Sequence, residues 1–353
     1  MTNWQKSKLD PKLRKRFLIR EKVIDALRLF FKKQNFHEVE TPLMVHIPST
    51  EPYFNPFITS LDLINGQKKN AYLTSSPEYA MKKLLAGNFG NIFQICKAFR
   101  NKESLGGLHN PEFTILEFYR TNANYFDVMH DFEQMMLFIC KSLNLDAKHF
   151  VYQNRTFNLN SPYPRFSVAE LFQKYLNLNT NELFNLELLR QKANILDYDL
   201  SGLIDLSDDL AWEELYNQLF LNEIEPKLAK FDQPVIVYDY PATQSALAKR
   251  KTDDSRFAER FEIYLAGIEL GNAFGELIDA DLQEQSLKKD LILRHELNKP
   301  EQKIDQDFLN ALKSGLPECS GMAVGIDRLI MFFANVDNID EILFFPMSEL
   351  FLD

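Results

Sequence analysis

The stretch from residue 92 to residue 120 constrains the fold more than any other part of this chain. Its two ends alternate apolar and polar side chains, which predicts two β-strands joined by a long polar connection. One face of the second strand carries Phe113, Glu117 and Tyr119, and the first strand ends at Arg100. If the two faces coincide, an arginine, a glutamate and a tyrosine point into one cleft. A solvated sheet face with a surface ion pair is the alternative, but long loops in compact domains are often functional.

Bulk composition excludes several classes of protein. The chain has 353 residues, 45% of them hydrophobic, which suffices for one large domain or two modest ones. A net charge of −10 argues against a general nucleic-acid binder. The three cysteines lack CxxC spacing, so neither a zinc site nor a disulfide framework is expected. The polar N-terminus and the lack of long apolar runs predict a cytoplasmic protein without a membrane segment.

Periodicity along the chain predicts an α+β domain. Residues 1–13 are polar and are expected to form a loose lead-in. Helical spacing or composition marks the segments 15–34, 77–85, 127–143, 165–230 and 283–297. Strand patterns mark 92–100, 113–120 and 234–240, with two short strands in 260–270. No repeat or linker divides these elements, so we expect one domain, 1–353, built on an antiparallel β-sheet flanked by helices.

A second candidate site contains Glu262, Glu269, Asn272 and Glu276. A turn lies between the first two glutamates, so a hairpin would set their carboxylates opposite each other. Two close carboxylates repel unless a cation lies between them, which favours a hard metal ion with oxygen ligands. Glu276 is a candidate for binding an ammonium group. The alternative is the acidic face of a helix, but two glycines in the segment disfavour a regular helix.

A third candidate site runs from Gly321 to Arg328. Its small residues let backbone or ligand approach closely, and Asp327 is a candidate N-cap for the apolar helix that follows. Arg328 would lie at the start of that helix, where the dipole does not favour a cation. An arginine in that position is suited to bind a phosphate or to stack on an aromatic ring. A tightly packed segment of small residues with a surface arginine explains the same pattern about as well.

Taken together, these segments resemble the catalytic core of a class II aminoacyl-tRNA synthetase of the lysine type. Residues 15–34 with Pro42 resemble motif 1, the dimer element; 93–120 resemble motif 2, and 321–333 resemble motif 3. The resemblance extends from about Phe17 to Phe345. The pattern begins within the first twenty residues, which leaves no room for the OB anticodon-binding domain of lysyl-tRNA synthetases.

Several details resemble the lysyl-tRNA synthetase paralogues that modify elongation factor P. Ala323 occupies a position where lysyl-tRNA synthetases usually have glycine and these paralogues have alanine. The runs 241–248 and 316–321 are also similar to theirs. The resemblance therefore implies ATP-dependent activation of (R)-β-lysine as an adenylate and its transfer to a lysine side chain of elongation factor P. The alternatives are a truncated lysyl-tRNA synthetase-like enzyme that activates α-lysine for another acceptor, and an inactive regulatory paralogue.

The same resemblance implies roles for individual residues, with ATP and Mg²⁺ as cofactors. The catalytic cations would be Arg100 and Arg328. The full ATP-binding set would be Arg100, Asn101, Lys102, Glu103, His109, Asn110, Phe113, Glu269, Leu270, Gly325 and Arg328. The amino acid would be bound by Ser76, Pro77, Glu78, Tyr119, Asn272, Glu276 and Ala323. The metal ligands would be Glu262 and Glu269. The resemblance also implies a homodimer, with tRNA an improbable partner.

One position departs from the family pattern. Motif 2 usually reads Arg-Asn-Glu, whereas Lys102 follows Asn101 here and Glu103 comes one place later. The span from Arg100 to His109 is also one residue longer than the family pattern. Lysine cannot accept a hydrogen bond from the adenine amino group, as the usual glutamate does. We therefore expect a bulged loop that brings Glu103 into that role.

Overall fold

The computed structural model describes residues 2–351 and centres on one large sheet. The strands in this described part of the chain are β1 His37–Glu38, β2 Met44–Val45, β3 Phe57–Asp62, β4 Lys68–Leu73, β5 Ile92–Phe99, β6 Glu112–Thr121, β7 Phe150–Tyr152, β8 Arg155–Phe157, β9 Arg165–Ser167, β10 Val235–Pro241, β11 Phe257–Leu265, β12 Ile268–Gly275 and β13 Cys319–Gly325. Eight of them form a sheet in the order β1-β5-β6-β13-β12-β11-β10-β9. Only its two outermost pairs are parallel, which confirms the predicted antiparallel α+β architecture.

Within residues 2–351, thirteen α-helices pack around the sheets. They are α1 Asn3–Lys6, α2 Pro11–Lys33, α3 Glu78–Ala86, α4 Tyr125–Ser142, α5 Val168–Leu176, α6 Thr180–Leu183, α7 Leu186–Ile195, α8 Asp208–Leu219, α9 Glu225–Leu228, α10 Ala280–Glu296, α11 Gln306–Gly315, α12 Ile326–Ala334 and α13 Met347–Leu350. Helices α5 to α9 confirm that 165–230 is mostly helical, and they pack on β10 and β11 through their own apolar cluster. Among residues 2–351, no helix combines the length and apolarity needed to cross a bilayer.

The prediction of a loose lead-in over residues 1–13 is wrong for its described part. The side chain of Asn3 is buried and donates hydrogen bonds to the carbonyls of Asp340 and Leu343, at 2.6 and 2.9 Å. Asp10 caps α2, and Pro11 occupies its first turn, so the helix begins before the apolar repeat does. Periodicity alone missed this start because the first turn is polar.

Alternation along the strands separates a packed face of the sheet from an open one. Phe93, Phe118 and Met322 point to one side, where helices α2, α4 and α12 cover them. Residues one position away point to the other side, and they include Glu117 and Ala323. The open face therefore carries the polar side chains that the sequence patterns single out.

Candidate active site

The open face of the sheet forms the floor of a cavity of about 590 Å³. In the predicted hairpin, Ala98 pairs with Phe113 and Ile92 pairs with Tyr119, so the two strand faces coincide as expected. One row of paired positions crosses four strands at Glu117, Ala323, Asn272 and Glu262. The register thus brings the three distant sequence segments into one site, with arginines at one end and carboxylates at the other.

Arg100 lies at the cationic end without a counter-ion. Its guanidinium carbon is 3.8 Å from the ring centre of Phe54 and 5.0 Å from that of Phe113. The Nε atom is buried and has no hydrogen-bond partner, and no carboxylate within residues 2–351 lies at ion-pair distance. Burial lowers the pKa of Arg100 below its ordinary value. An arginine desolvated between two rings and left unpaired is suited to bind an anion.

Arg328 provides the second cation of this end. Its guanidinium donates to the backbone carbonyl of Glu269 at 3.0 Å and lies 3.8 Å from the carboxylate of that residue. The prediction that Asp327 caps α12 is wrong, because the N-cap is Gly325. Strand β13 runs directly into the helix, so Asp327 falls in its first turn. There it accepts hydrogen bonds from Arg20 and from the Thr114 backbone amide, at 2.5 and 2.6 Å.

The loop of the hairpin contributes Glu103 and His109 to the cavity wall. The carboxylate of Glu103 lies 3.0 Å from Nδ1 of His109. Burial, together with the charge of nearby Arg328, lowers the pKa of His109. Lys102 adopts a left-handed backbone conformation with φ of 62°, and neither it nor Asn101 lines the cavity. The loop therefore presents the displaced glutamate to the cavity.

Other members of the proposed ATP set have structural contacts of their own. Asn110 lines the cavity, but its amide donates to the Glu112 carbonyl and accepts from the Met347 backbone amide. It thereby ties the C-terminal segment to the hairpin. Leu270 is buried beside Gly325, and both line the cavity next to Arg328.

The expected opposition of Glu262 and Glu269 across a hairpin is wrong. The turn at Ala266–Gly267 pairs Leu265 with Ile268, which places Glu269 opposite Tyr264, and Glu262 lies two residues further along its strand. A register shift between Ile263 and Tyr264 then places Glu262 opposite Asn272. The Glu262 carboxylate accepts hydrogen bonds from Arg260 at 2.5 Å, from Tyr240 at 2.7 Å and from Tyr264 at 2.5 Å.

Both carboxylates nevertheless line the same cavity. Burial and the charge of Glu262 raise the pKa of Glu269, and the nearby arginines, Arg328 first among them, offset only part of this effect. Across residues 2–351, no cluster of three or more His, Cys, Asp or Glu side chains is arranged to hold a metal ion. Two carboxylates alone would leave most of a magnesium coordination shell to other oxygen ligands.

The acidic end holds three carboxylates around one lysine. Lys82 Nζ lies 2.6 Å from Glu78 Oε1 and 2.6 Å from Glu276 Oε2. Glu117 accepts hydrogen bonds from Ser76 at 2.6 Å and from Tyr119 at 2.5 Å. Burial raises the pKa of Glu117 to about 8 and that of Glu276 to about 7, with the charge of Glu78 adding to both.

The sequence patterns missed two residues of this end. Glu117 was assigned to the hairpin face but not to amino-acid binding, and Lys82 was not singled out at all. Lys82 follows Glu78 by four residues, and this spacing on a helix was the available signal. Its pairing with Glu276 joins segments far apart in the chain, so no local sequence pattern indicates it. Pro77, the N-cap of α3, sets the corner from which Glu78 enters the cavity.

Small residues make the floor of the cavity flat at its acidic end. A Cβ atom placed on Gly321 would lie 2.3 Å from the Tyr119 ring and 2.9 Å from Glu276 Oε1. Ala323 lies between Glu117 and Asn272 in the row across the sheet, and Asn272 accepts a hydrogen bond from Arg260 at 3.2 Å. Any larger side chain at these positions would fill the space above the sheet.

Segments that carry no recognisable motif supply a further part of the wall. Glu51, Glu213 and Asp290 line the cavity together with Gln244. Burial raises the pKa of Glu213 to about 7 and that of Asp290 to about 8, and the charge of Glu51 adds to both. These residues come from a loop and two helices, so only the folded chain brings them together.

An antiparallel sheet with an arginine at the end of one central strand and a second arginine in the helix after another is the catalytic architecture of class II synthetases. The chain belongs to this family, because the family profile described as "tRNA synthetases class II (D, K and N)" matches residues 4–349. Two similar proteins are named elongation factor P–(R)-β-lysine ligase. That of Buchnera aphidicola subsp. Schizaphis graminum is 39% identical over 94% of this chain and 95% of its own. That of Salmonella paratyphi A (strain ATCC 9150 / SARB42) is 36% identical over 98% of each chain.

Proposed function

We propose that this protein is an ATP-dependent ligase that activates (R)-β-lysine as an adenylate and transfers it to a lysine side chain of elongation factor P. The names of relatives aligned over nearly the whole chain support the acceptor and the amino acid. The observation that carries the proposal is the separation of opposite charges between the two ends of the cavity. At one end lies Arg100, which has no ion-pair partner among residues 2–351. At the other end Glu78 and Glu276 contact Lys82, and Glu117 accepts hydrogen bonds from Ser76 and Tyr119.

The cationic end suits the first half of this reaction. The carboxylate of the amino acid attacks the α-phosphorus of ATP, and pyrophosphate leaves. Both reactants are anions, so cations must offset their repulsion, and Arg100 and Arg328 are placed to do so. The ring of Phe113 would stack on the adenine, and the carboxylate of Glu103 would accept a hydrogen bond from the adenine amino group. The attacking carboxylate is already deprotonated, so positioning and electrostatics suffice without a general base.

Mg²⁺ would be held mainly by Glu269, with Glu262 beside it. The raised pKa of Glu269 fits a position that a cation would stabilise. Magnesium is commonly bound by one or two carboxylates together with substrate phosphates, and the bound ion would spread the negative charge of those phosphates.

The acidic end suits an amino acid with two ammonium groups. One lysine against three carboxylates leaves two negative charges without a partner when all are ionised. Lysine isomers carry two ammonium groups and one carboxylate, so the side-chain ammonium would bind at this end while the carboxylate is directed toward Arg100. We include in the proposal a cytoplasmic homodimer, in which α2 is the dimer element of motif 1, and a protein acceptor in place of tRNA.

Pyrophosphate exchange with each lysine isomer tests the proposal most directly. We expect faster exchange with (R)-β-lysine than with α-lysine, and incubation with ATP, β-lysine and elongation factor P should add one β-lysyl group to the factor by intact mass. Faster exchange with α-lysine would favour the truncated synthetase-like enzyme. No exchange with either isomer would favour an inactive paralogue.

The raised pKa values at the acidic end predict a pH-dependent affinity for the amino acid. Below their pKa values of about 8 and about 7, Glu117 and Glu276 take up protons and lose the charge that binds ammonium. We expect the KM for the lysine substrate to fall roughly tenfold between pH 6 and pH 8, as these carboxyls ionise. The KM for ATP, measured over the same range, is the control. A flat amino-acid KM across this range would contradict the assignment.

Replacement of Glu103 tests the displaced glutamate of the hairpin loop. We expect Glu103→Ala to raise the KM for ATP about tenfold, because the adenine amino group loses its acceptor. Glu112→Ala removes a nearby exposed carboxylate that pairs with Lys97 outside the cavity, and it should leave the KM unchanged. An unaltered ATP KM in Glu103→Ala would refute the role.

A further inference from the structure

Lys82 is a buried charge beside the cavity that the proposed reaction does not use. Its side chain is wholly buried, and its ammonium lies 2.6 Å from a carboxylate oxygen of Glu78 and 2.6 Å from one of Glu276. Both glutamates belong to the set proposed to bind the amino acid. A cation of the protein itself therefore already occupies one oxygen of each.

This pairing divides the Glu276 carboxylate into two unequal halves. Oε2 is the oxygen nearest to Lys82, at 2.6 Å from its Nζ, and both oxygens of the carboxylate are buried. Oε1 lies above Gly321, next to the Tyr119 ring, and all three of these residues line the cavity. Lys82 thus holds the carboxylate at Oε2, and Oε1 is the oxygen on the side of Tyr119.

Other charges around Lys82 come from several elements. Glu78 lies on the same helix, α3, while Glu117 and Tyr119 project from β6. Glu276 follows β12, and Cys319 begins β13. Without Lys82, three carboxylates would share one buried region, and mutual repulsion would keep part of them protonated at neutral pH.

We propose that Lys82 is a built-in counter-ion that positions Glu276 and sets the charge of the amino-acid pocket, so that Glu276 Oε1 and Glu117 receive the substrate ammonium. This inference rests on the proposed function. It makes Lys82 a positioning residue for specificity: with one internal cation, the pocket matches a diamino acid and rejects a monoamino acid. The burial of Lys82 also argues for a role beyond stability, since a buried ion pair contributes little net stability compared with an apolar pair.

The test compares Lys82→Met and Lys82→Arg with Lys83→Met in pyrophosphate exchange. Lys83 is the matched control, because it lies on the same helix and pairs with Asp305 and Asp307 at 2.8 and 2.9 Å, away from the amino-acid pocket. For Lys82→Met we expect a KM for the amino acid raised at least tenfold at pH 7 and partly recovered at pH 9, as the repelling carboxylates ionise. The KM for ATP should stay within twofold. Lys82→Arg should retain most of the affinity, and Lys83→Met should behave as wild type.

A second variant covers the case in which Lys82→Met does not fold. The double variant Lys82→Met/Glu78→Gln removes one charge of each sign, so the net charge of the buried region stays the same while Glu276 loses its ion pair. We expect its amino-acid KM to exceed that of Glu78→Gln alone, because Glu276 has lost its anchor. An amino-acid KM and pH profile equal to those of wild type in Lys82→Met, or an amino-acid KM in the double variant equal to that of Glu78→Gln, would overturn the proposal, as would equal losses for amino acid and ATP.

The design separates this inference from the proposed function. Each variant is assayed with the amino acid that the wild-type protein activates fastest, whichever isomer that is. A preference of the wild type for α-lysine would overturn the proposed substrate and leave the test of Lys82 intact. ATP binding by calorimetry shows independently that a variant is folded.

Discussion

Arg100→Ala will lower the rate of pyrophosphate exchange by a factor of about 10² to 10³ or more. The guanidinium of Arg100 lies between two phenylalanine rings, and its buried Nε atom has no hydrogen-bond partner among the described residues. An unpaired cation in a partly dry cleft interacts strongly with charge that develops on the α-phosphate in the transition state. Its removal should therefore reduce kcat as well as the affinity for ATP.

The matched control for this variant is Arg256→Ala. Arg256 also stacks near a phenylalanine, with 5.0 Å from its guanidinium carbon to the Phe184 ring centre, but it pairs with Asp254 at the surface. Its loss should leave the exchange rate within twofold of wild type. Arg100→Lys keeps the positive charge but loses the planar guanidinium group and its paired hydrogen bonds, so it should retain only part of the wild-type activity. Wild-type exchange in Arg100→Ala would remove Arg100 from the reaction.

Glu276→Gln will raise the KM for the lysine substrate by roughly ten- to 100-fold and leave the KM for ATP within about twofold. The substitution keeps the shape of the side chain and removes the charge of a buried carboxyl group that lines the cavity. Hydrogen bonds to charged groups contribute about 1.5–3 kcal/mol, which corresponds to this range. The KM for ATP should be spared, because the proposed ATP site is at the opposite end of the cavity.

Glu318→Gln is the comparison for Glu276→Gln. Glu318 lies just before β13, and its exposed carboxylate pairs with Lys249 at 3.2 Å. Exposed pairs of this kind contribute little, so both KM values should remain those of wild type. If Glu276→Gln changed the two KM values in parallel, its effect would be structural and the assignment to amino-acid binding would fail.

The local part of the site could be predicted from the sequence. Alternation in the hairpin correctly placed Arg100, Phe113 and Tyr119 on one face, because a strand has a fixed period of two residues. The strand patterns on both sides of Gly267 likewise predicted the β11–β12 hairpin.

What could not be predicted depends on register and on contacts between distant segments. A single irregularity between Ile263 and Tyr264 places Glu262 opposite Asn272, and no residue type in the segment signals it. The pairing of Lys82 with Glu276 depends on how α3 packs against the end of β12, which periodicity does not encode. Asp327 was misplaced because the sequence does not show that β13 continues without a loop into α12.

The position of both ends of the cavity on one strand has a mechanical consequence. Phe113 and Tyr119 are separated along β6 by a stretch of about 20 Å of hydrogen-bonded backbone, at about 3.3 Å per residue. Strands on both sides hold this backbone in place, so the distance between adenine and ammonium positions cannot adjust to the ligand. If ATP and the amino acid bind at these two ends as we propose, the sheet fixes the length of amino acid whose carboxylate can reach the α-phosphate, and selection by size would require no moving part.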